Sequence, residues 1–274
     1  FYDLFGPTKT SRKGYGLGIE YTGTLIADRP RTLDYAVKAS AFAGLDHVPE
    51  YQNVAASYDK LVNFQGSLEY RNLRRSLGAV EFEQGVSASL AISNNVVRSD
   101  LYPRCAAEVS YGFLLPLDHS SLWLRGAAGQ AIGTRGEPFA SFFLGGFGNN
   151  WIDHQEERRY REMESFPGME LNAVGGSNFA KGMLEWTLPP LRFRRLGFPM
   201  IFCTWARLAL FSSILTTDLD ASALRRTVYN LGGQVDFRLV LFWRLESMLS
   251  VGYAVAVERD QRLSREFMVS LKIL

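Results

Sequence analysis

The sequence predicts an all-β fold: an antiparallel up-and-down transmembrane β-barrel of about 12 strands, with about 14 as the next even count. Three observations predict it. Apolar and polar residues alternate with a period of two over segments long enough to cross a bilayer, about 9 to 11 residues. The chain is 13% aromatic, and many of the rings fall on the apolar faces. Short connections alternate with long ones, as they do when turns gather at one rim of a membrane barrel and loops at the other.

The first segment, 13–26, sets Tyr15, Leu17, Ile19, Tyr21 and Leu25 against Gly14, Gly16, Gly18, Glu20, Thr22 and Thr24. The second, 32–45, sets Leu33, Tyr35, Val37 and Ala39 against Asp34, Lys38, Ser40 and Gly44. In 61–73, Val62, Phe64, Leu68 and Tyr70 oppose Asn63, Gln65, Ser67, Glu69 and Arg71. In 79–93, Val80, Phe82, Val86, Leu90 and Ile92 oppose Glu81, Glu83, Ser87 and Ser89. Further segments run over 105–117, 121–132, 179–193, 199–212, 228–242, 248–258 and 265–274, which makes eleven. An even count needs one more: before Phe1, at Phe1–Phe5, or within 46–60 or 138–147. Residues 1–13 are expected to be a periplasmic linker or part of a first strand, and 14–274 the barrel.

One face is apolar along nearly the whole chain. The other carries Glu20, Lys38, Glu69, Glu81, Glu83, Lys181, Glu185, Asp236 and Arg238, which are candidate lumen charges. A soluble barrel would turn the same pattern inside out. Strand length and the aromatic residues, placed as for interfacial girdles, favour the membrane arrangement.

At 274 residues the length allows one large domain or two small ones, and 47% hydrophobic with a mean hydropathy of −0.06 does not choose between them. The stretch nearest to a membrane helix, 198–215, is interrupted by Pro199 and Arg207. A net charge of +2 gives no basic surface for a nucleic-acid partner. Cys105 and Cys203 have neither metal-ligand nor disulfide-framework spacing and read as free thiols.

Histidines occur only at His47, His119 and His154, all in connections. The run Asp118-His119-Ser120 is the one constellation with catalytic residue types, and it reads better as a polar turn. No catalytic residue, cofactor or metal site is expected. Phe147-Gly-Asn-Asn150 lacks both the dinucleotide and the P-loop spacing.

The connection 133–178 is the most unusual segment, since a loop beyond about 15 residues is usually functional or disordered. Its Gly145, Gly146, Trp151, Arg159, Arg161, Phe166, Pro167 and Gly168 are candidate lumen-loop residues. Two readings stay open: a loop folded over or into the lumen, and a plain extracellular loop.

Phe143-Leu-Gly-Gly146 before this loop, then Gly175-Gly176 and Leu184-Glu-Trp-Thr-Leu-Pro-Pro190 after it, resemble motifs of the bacterial surface-antigen (BamA/TamA-type) superfamily of outer-membrane barrels. The opening FYDLFGPTKTSRKGYGLG and the terminal EFMVSLKIL resemble a subgroup whose barrel follows a periplasmic β-propeller. The resemblance covers most of the chain and implies the bacterial outer membrane, lipid around the barrel and protein partners in a complex. Two features depart from the family: Phe166-Pro167-Gly168 stands where members carry an Arg-Gly-aromatic loop tip, and Leu274 stands where an aromatic usually ends the last strand.

The function this implies is non-enzymatic: assembling, translocating or scaffolding polypeptides while anchoring a periplasmic module. The alternative is a passive pore for small solutes, lined by the mixed charges. A soluble barrel around an apolar ligand is a third reading.

Overall fold

The computed structural model describes residues 14–45, 58–147, 158–198, 200–258 and 263–274. The strands are β1 (Tyr15–Asp28), β2 (Arg31–Ala43), β3 (Leu61–Arg74), β4 (Gln84–Val97), β5 (Asp100–Leu114), β6 (Ser121–Ala131), β7 (Phe142–Leu144), β8 (Val174–Gly176), β9 (Asn178–Thr187), β10 (Leu191–Phe198), β11 (Ile201–Thr217), β12 (Arg226–Leu241), β13 (Leu245–Glu258) and β14 (Ser264–Ile273). All but β7 and β8 form one antiparallel up-and-down sheet of 12 strands in chain order. The short pair β7–β8 lies apart from it, so 138–147 adds nothing to the main sheet. Residues 1–13 fall outside the described residues, as does most of 46–60.

The twelfth strand arises by interruption. The expected segment 179–193 divides into β9, which pairs Ala209–Thr217 of β11, and β10, which pairs Ile201–Ala206 of the same strand. Pro189 and Pro190 lie between them and have no N–H to give a ladder. Because β9 and β10 run end to end along β11, the sheet has eleven strand positions, and β1 and β14 point the same way. No pairing joins them among the described residues. β1 is exposed on both faces along nearly all its length.

Three boundaries differ from the sequence reading. The stretch 94–104, expected to be a longer loop, is a two-residue turn at Arg98 and Ser99, both with positive φ (50° and 75°). This is the backbone twist that joins adjacent strands tightly, reached here without the usual glycine. The segment at 79–93 begins only at Gln84, so Glu81 and Glu83 belong to the 75–83 connection. β11 continues to Thr217, leaving 218–225 as the following loop. One end of the strands therefore carries connections 29–30, 75–83, 115–120, 199–200 and 242–244, and the other carries 44–60, 98–99, 132–177, 218–225 and 259–263. The longest connection sits at the second end, but a tight turn sits there too.

The two faces follow the period-two pattern. Rungs such as Ile19–Ala39–Phe64 lie outward, and Glu20–Lys38–Gln65 lie inward. Outward residues including Leu17, Ile92, Tyr111 and Leu231 are exposed, whereas Lys181, Glu185, Gln234 and Asp236 are buried. The core lies on the inner side, where Phe179, Leu215, Val228 and Ala256 of the sheet pack with Phe142, Leu144, Phe166 and Val174 of the long connection.

Candidate functional site: a connection locked against the inner face

The long connection folds back over the inner face of the sheet. Its 3-10 turn Arg159–Arg161, with Arg158 just before it, delivers two guanidinium groups and a phenol to buried carboxylates. Glu185 is the hub. It lies on the inner rung Trp123–Glu185–Phe211 and has no solvent exposure. It accepts hydrogen bonds from Arg158 Nη1 (3.1 Å), the Tyr160 hydroxyl (2.9 Å), Arg161 Nε (3.0 Å), Arg125 Nε of β6 (3.1 Å) and Thr187 Oγ1 (3.2 Å).

Arg158 also donates from Nε to Asp236 Oδ2 at 2.9 Å, and the other oxygen of Asp236 takes Gln234 Nε2 (2.6 Å) and Ser250 Oγ (2.7 Å). Glu81 completes the cluster: its carboxylate meets Arg158 (3.3 Å), Arg207 of β11 (2.8 Å) and Arg161. Burial pushes the Glu81 carboxyl up, but the guanidinium groups of Arg158, Arg161 and Arg207 outweigh it and hold the carboxyl well below the usual carboxylate range. Four guanidinium groups face three carboxylates, a net charge of +1 in a site where Arg158, Arg207, Glu185 and Asp236 are buried while Glu81 and Arg161 keep some contact with solvent. Buried ions persist where several partners offset their desolvation, as at Glu185 and Arg158; among the described residues Arg207 pairs with Glu81 alone, and its Nε is buried without a hydrogen-bond partner. The Tyr160 ring stacks on Phe211, with centroids 4.5 Å apart.

A second set of contacts fixes the rest of the connection. Lys181 Nζ of β9 donates to the carbonyls of Glu162 (2.8 Å), Met163 (3.2 Å) and Ser165 (2.6 Å). Glu266 of β14 accepts the N–H groups of Phe147 and Gly168, each at 2.9 Å, and Asn230 Nδ2 donates to the Pro167 carbonyl at 2.9 Å. Gly146 and Phe166 pair through their backbones. At Gly168 (φ 94°) a Cβ would lie 2.7 Å from the Ala256 nitrogen, so only glycine lets the tip meet the β13 backbone. At Gly145 (φ 152°) a Cβ would lie 2.1 Å from the Glu170 carbonyl oxygen.

Of the candidate loop residues, Gly145, Gly146, Arg161, Phe166, Pro167 and Gly168 come together here. Arg159 pairs instead with Glu162 at 3.3 Å, and Trp151 lies outside the described residues. Of the candidate charges, Lys181, Glu185 and Asp236 are buried on the inner face, and Glu81 joins them from a connection. Glu20 and Lys38 face each other at 3.9 Å near the β1 edge, and Glu69 pairs with Arg71 at 2.5 Å. Arg238 stands near the strand end with Glu246, away from the cluster. Glu83 accepts from the Ser76 N–H (3.0 Å) and contacts His119 Nδ1 at 2.8 Å. Ser120, next to His119, instead donates to the Thr187 carbonyl at 3.1 Å and accepts from Trp186 Nε1 at 3.0 Å. The Ser76 side chain also hydrogen-bonds Glu83, so Glu83 serves to tie the 75–83 connection to His119. His47 and His154 lie outside the described residues. Among the described residues, no group of three or more His, Cys, Asp or Glu could hold a metal ion, and no helix is long and apolar enough to cross a membrane.

Sequence reasoning missed Arg125, Arg207 and Glu266. Their parity was available, since Arg125 falls between the outward Leu124 and the glycine at 126, but period-two reasoning gives a face and never a partner.

The connection leaves room beside β1–β5. A cavity of about 370 Å³ remains there, bounded by Glu20, Lys38, Gln65, Arg104, Phe142 and Met163. The geometry thus defines a curled antiparallel sheet with a charge-locked segment inside it and two edge strands, β1 and β14, that do not pair with each other among the described residues. No protein-family model matches the chain, and no curated protein is significantly similar to it.

Proposed function

We propose that this chain is an outer-membrane β-barrel whose apolar face meets lipid and which assembles, translocates or scaffolds polypeptides while anchoring a periplasmic module. The exposed belt of Leu, Ile, Val, Phe and Tyr supports insertion, because a patch running the length of the sheet is far beyond what a soluble monomer exposes. The observation that carries the polypeptide role is the pairing of a blocked interior with an open seam. The locked connection obstructs a wide conduction path, while the edges of β1 and β14, which have no further strand neighbour among the described residues, offer backbone groups of the kind an extended chain can pair with. Since β1 and β14 run parallel, antiparallel closure takes one further strand between them; direct closure would be a parallel seam. The longest connection then lies outside the cell and the 75–83 end faces the periplasm.

The test is purification of the full-length protein from its native membrane in mild detergent, followed by mass spectrometry of polypeptides that co-elute in fixed ratio. Stoichiometric partners support this role; a barrel that elutes alone opposes it. The small-solute channel keeps one observation in its favour, the charged cavity beside β1–β5. Steady single-channel conductance from the lone protein would establish that reading instead.

A further inference from the structure

The sheet is uneven at the end that carries 242–244. β6 stops at Ser121, opposite Thr187, while β10, β11 and β12 continue past it as a ribbon. β10 pairs only β11, so the other edge of Leu191–Phe198 has no strand neighbour among the described residues. Because it extends beyond the row where β6 ends, the ribbon forms the rim of the sheet, the level of the headgroups in the membrane reading. Its outward face is apolar: Leu196 is opposite Cys203, Phe198 opposite Ile201, and Ile201 opposite Leu241. Its tip exposes Phe242 and Trp243, and the Trp243 ring rests on Phe202 with centroids 5.1 Å apart. Arg194 of β10 and Arg244, next to Trp243 in the chain, are exposed. Arg192 turns away to the Gly78 carbonyl, and the nearby acid Glu246 is taken by Arg238.

Apolar residues for acyl chains, aromatic rings at the boundary and exposed arginines are the elements that hold a protein at an anionic leaflet. Resting on the membrane reading above, we propose that the β10–β12 ribbon binds the phosphate groups of anionic phospholipids through Arg194 and Arg244. Charge selects the ligand: a zwitterionic headgroup offers no net complement to the two arginines.

The full chain is reconstituted in phosphatidylcholine vesicles with and without phosphatidylglycerol and then extracted in mild detergent, and the retained lipids are measured by mass spectrometry. Wild-type protein retains phosphatidylglycerol above its share of the bilayer. Arg194→Gln with Arg244→Gln reduces that enrichment, by about fivefold per arginine, and Arg135→Gln at the opposite end leaves it unchanged. Equal enrichment in the double variant, or none in the wild type, overturns this inference and leaves the membrane reading standing. Failure to enter vesicles of either composition overturns the membrane reading and this inference with it.

Discussion

Glu81 and Arg158 enter the interior from opposite ends of the strands and meet at 3.3 Å. Glu81 comes from the 75–83 connection and Arg158 from the 132–177 connection, so this ion pair, with the Arg161–Glu81 pair beside it, ties together two segments that no strand pairing joins. Through Arg158 the tie extends to Glu185 and Asp236 on the wall.

Replacing the hub leaves the arginines in place without their main acceptor. Glu185→Gln is expected to weaken docking of the connection by about 3–5 kcal/mol, the usual cost of stranding buried charge. Hydrogen–deuterium exchange of residues 158–177 reads this directly. Exchange as slow as in the wild type would mean that the cluster does not hold the connection.

The loop tip offers a steric counterpart. Gly168→Ala places a methyl against the β13 backbone at a positive φ, and a loss of about 1–3 kcal/mol is expected. Gly126→Ala, whose Cβ meets nothing within 4 Å, is the matched control. Thermal unfolding of both variants should separate them, and equal midpoints would contradict the buried tip.

The latch has a defined pH dependence. Because the Glu81 carboxyl is held below its unfolded value, its contribution is fully present above about pH 4.5 and is lost as pH falls toward the depressed folded value. Glu83 behaves in the same sense: burial raises its carboxyl, while the Ser76 hydrogen bonds and His119 bring it below the usual range. Protease sensitivity of 158–177 should therefore stay flat from neutral pH to about pH 5 and rise only in stronger acid. A rise centred near neutral pH would point to another group.

Much of this fold was legible in the sequence, because a half-exposed strand writes its two faces in alternate residues. Phe64 and Leu68, set against Asn63 and Gln65 in the sequence, lie on the opposite face from them in the sheet. What stayed hidden depends on pairing. The turn at Arg98–Ser99 has no glycine to mark it, and two prolines split one apparent strand into β9 and β10. The inner face is also less polar than alternation suggested, since Phe179, Phe211 and Leu215 point inward to meet the connection. Glu185 and Asp236 could be placed on the inner face, but Arg158 and Arg125 could be matched to them only in three dimensions.

A charge on the outward face separates membrane from water as its surroundings. Leu231→Arg is expected to cost about 2–4 kcal/mol of stability in a bilayer if the site lies near the midplane. Folding into vesicles, followed by the gel shift between unheated and boiled samples, gives the change. A neutral result would fit a water-facing surface.

The most direct measurement takes full-length protein with Cys105 and Cys203 replaced by alanine, places single cysteines in turn at 229, 230, 231 and 232 of β12, and attaches a fluorophore to each. Protein in vesicles is then exposed to a lipid-borne quencher. Quenching at 229 and 231 with protection at 230 and 232 is the predicted result, because Tyr229 and Leu231 face outward and Asn230 is buried on the inner face. Equal quenching at all four, or the reverse alternation, would contradict a sheet whose apolar face meets lipid and whose inner face holds the locked connection.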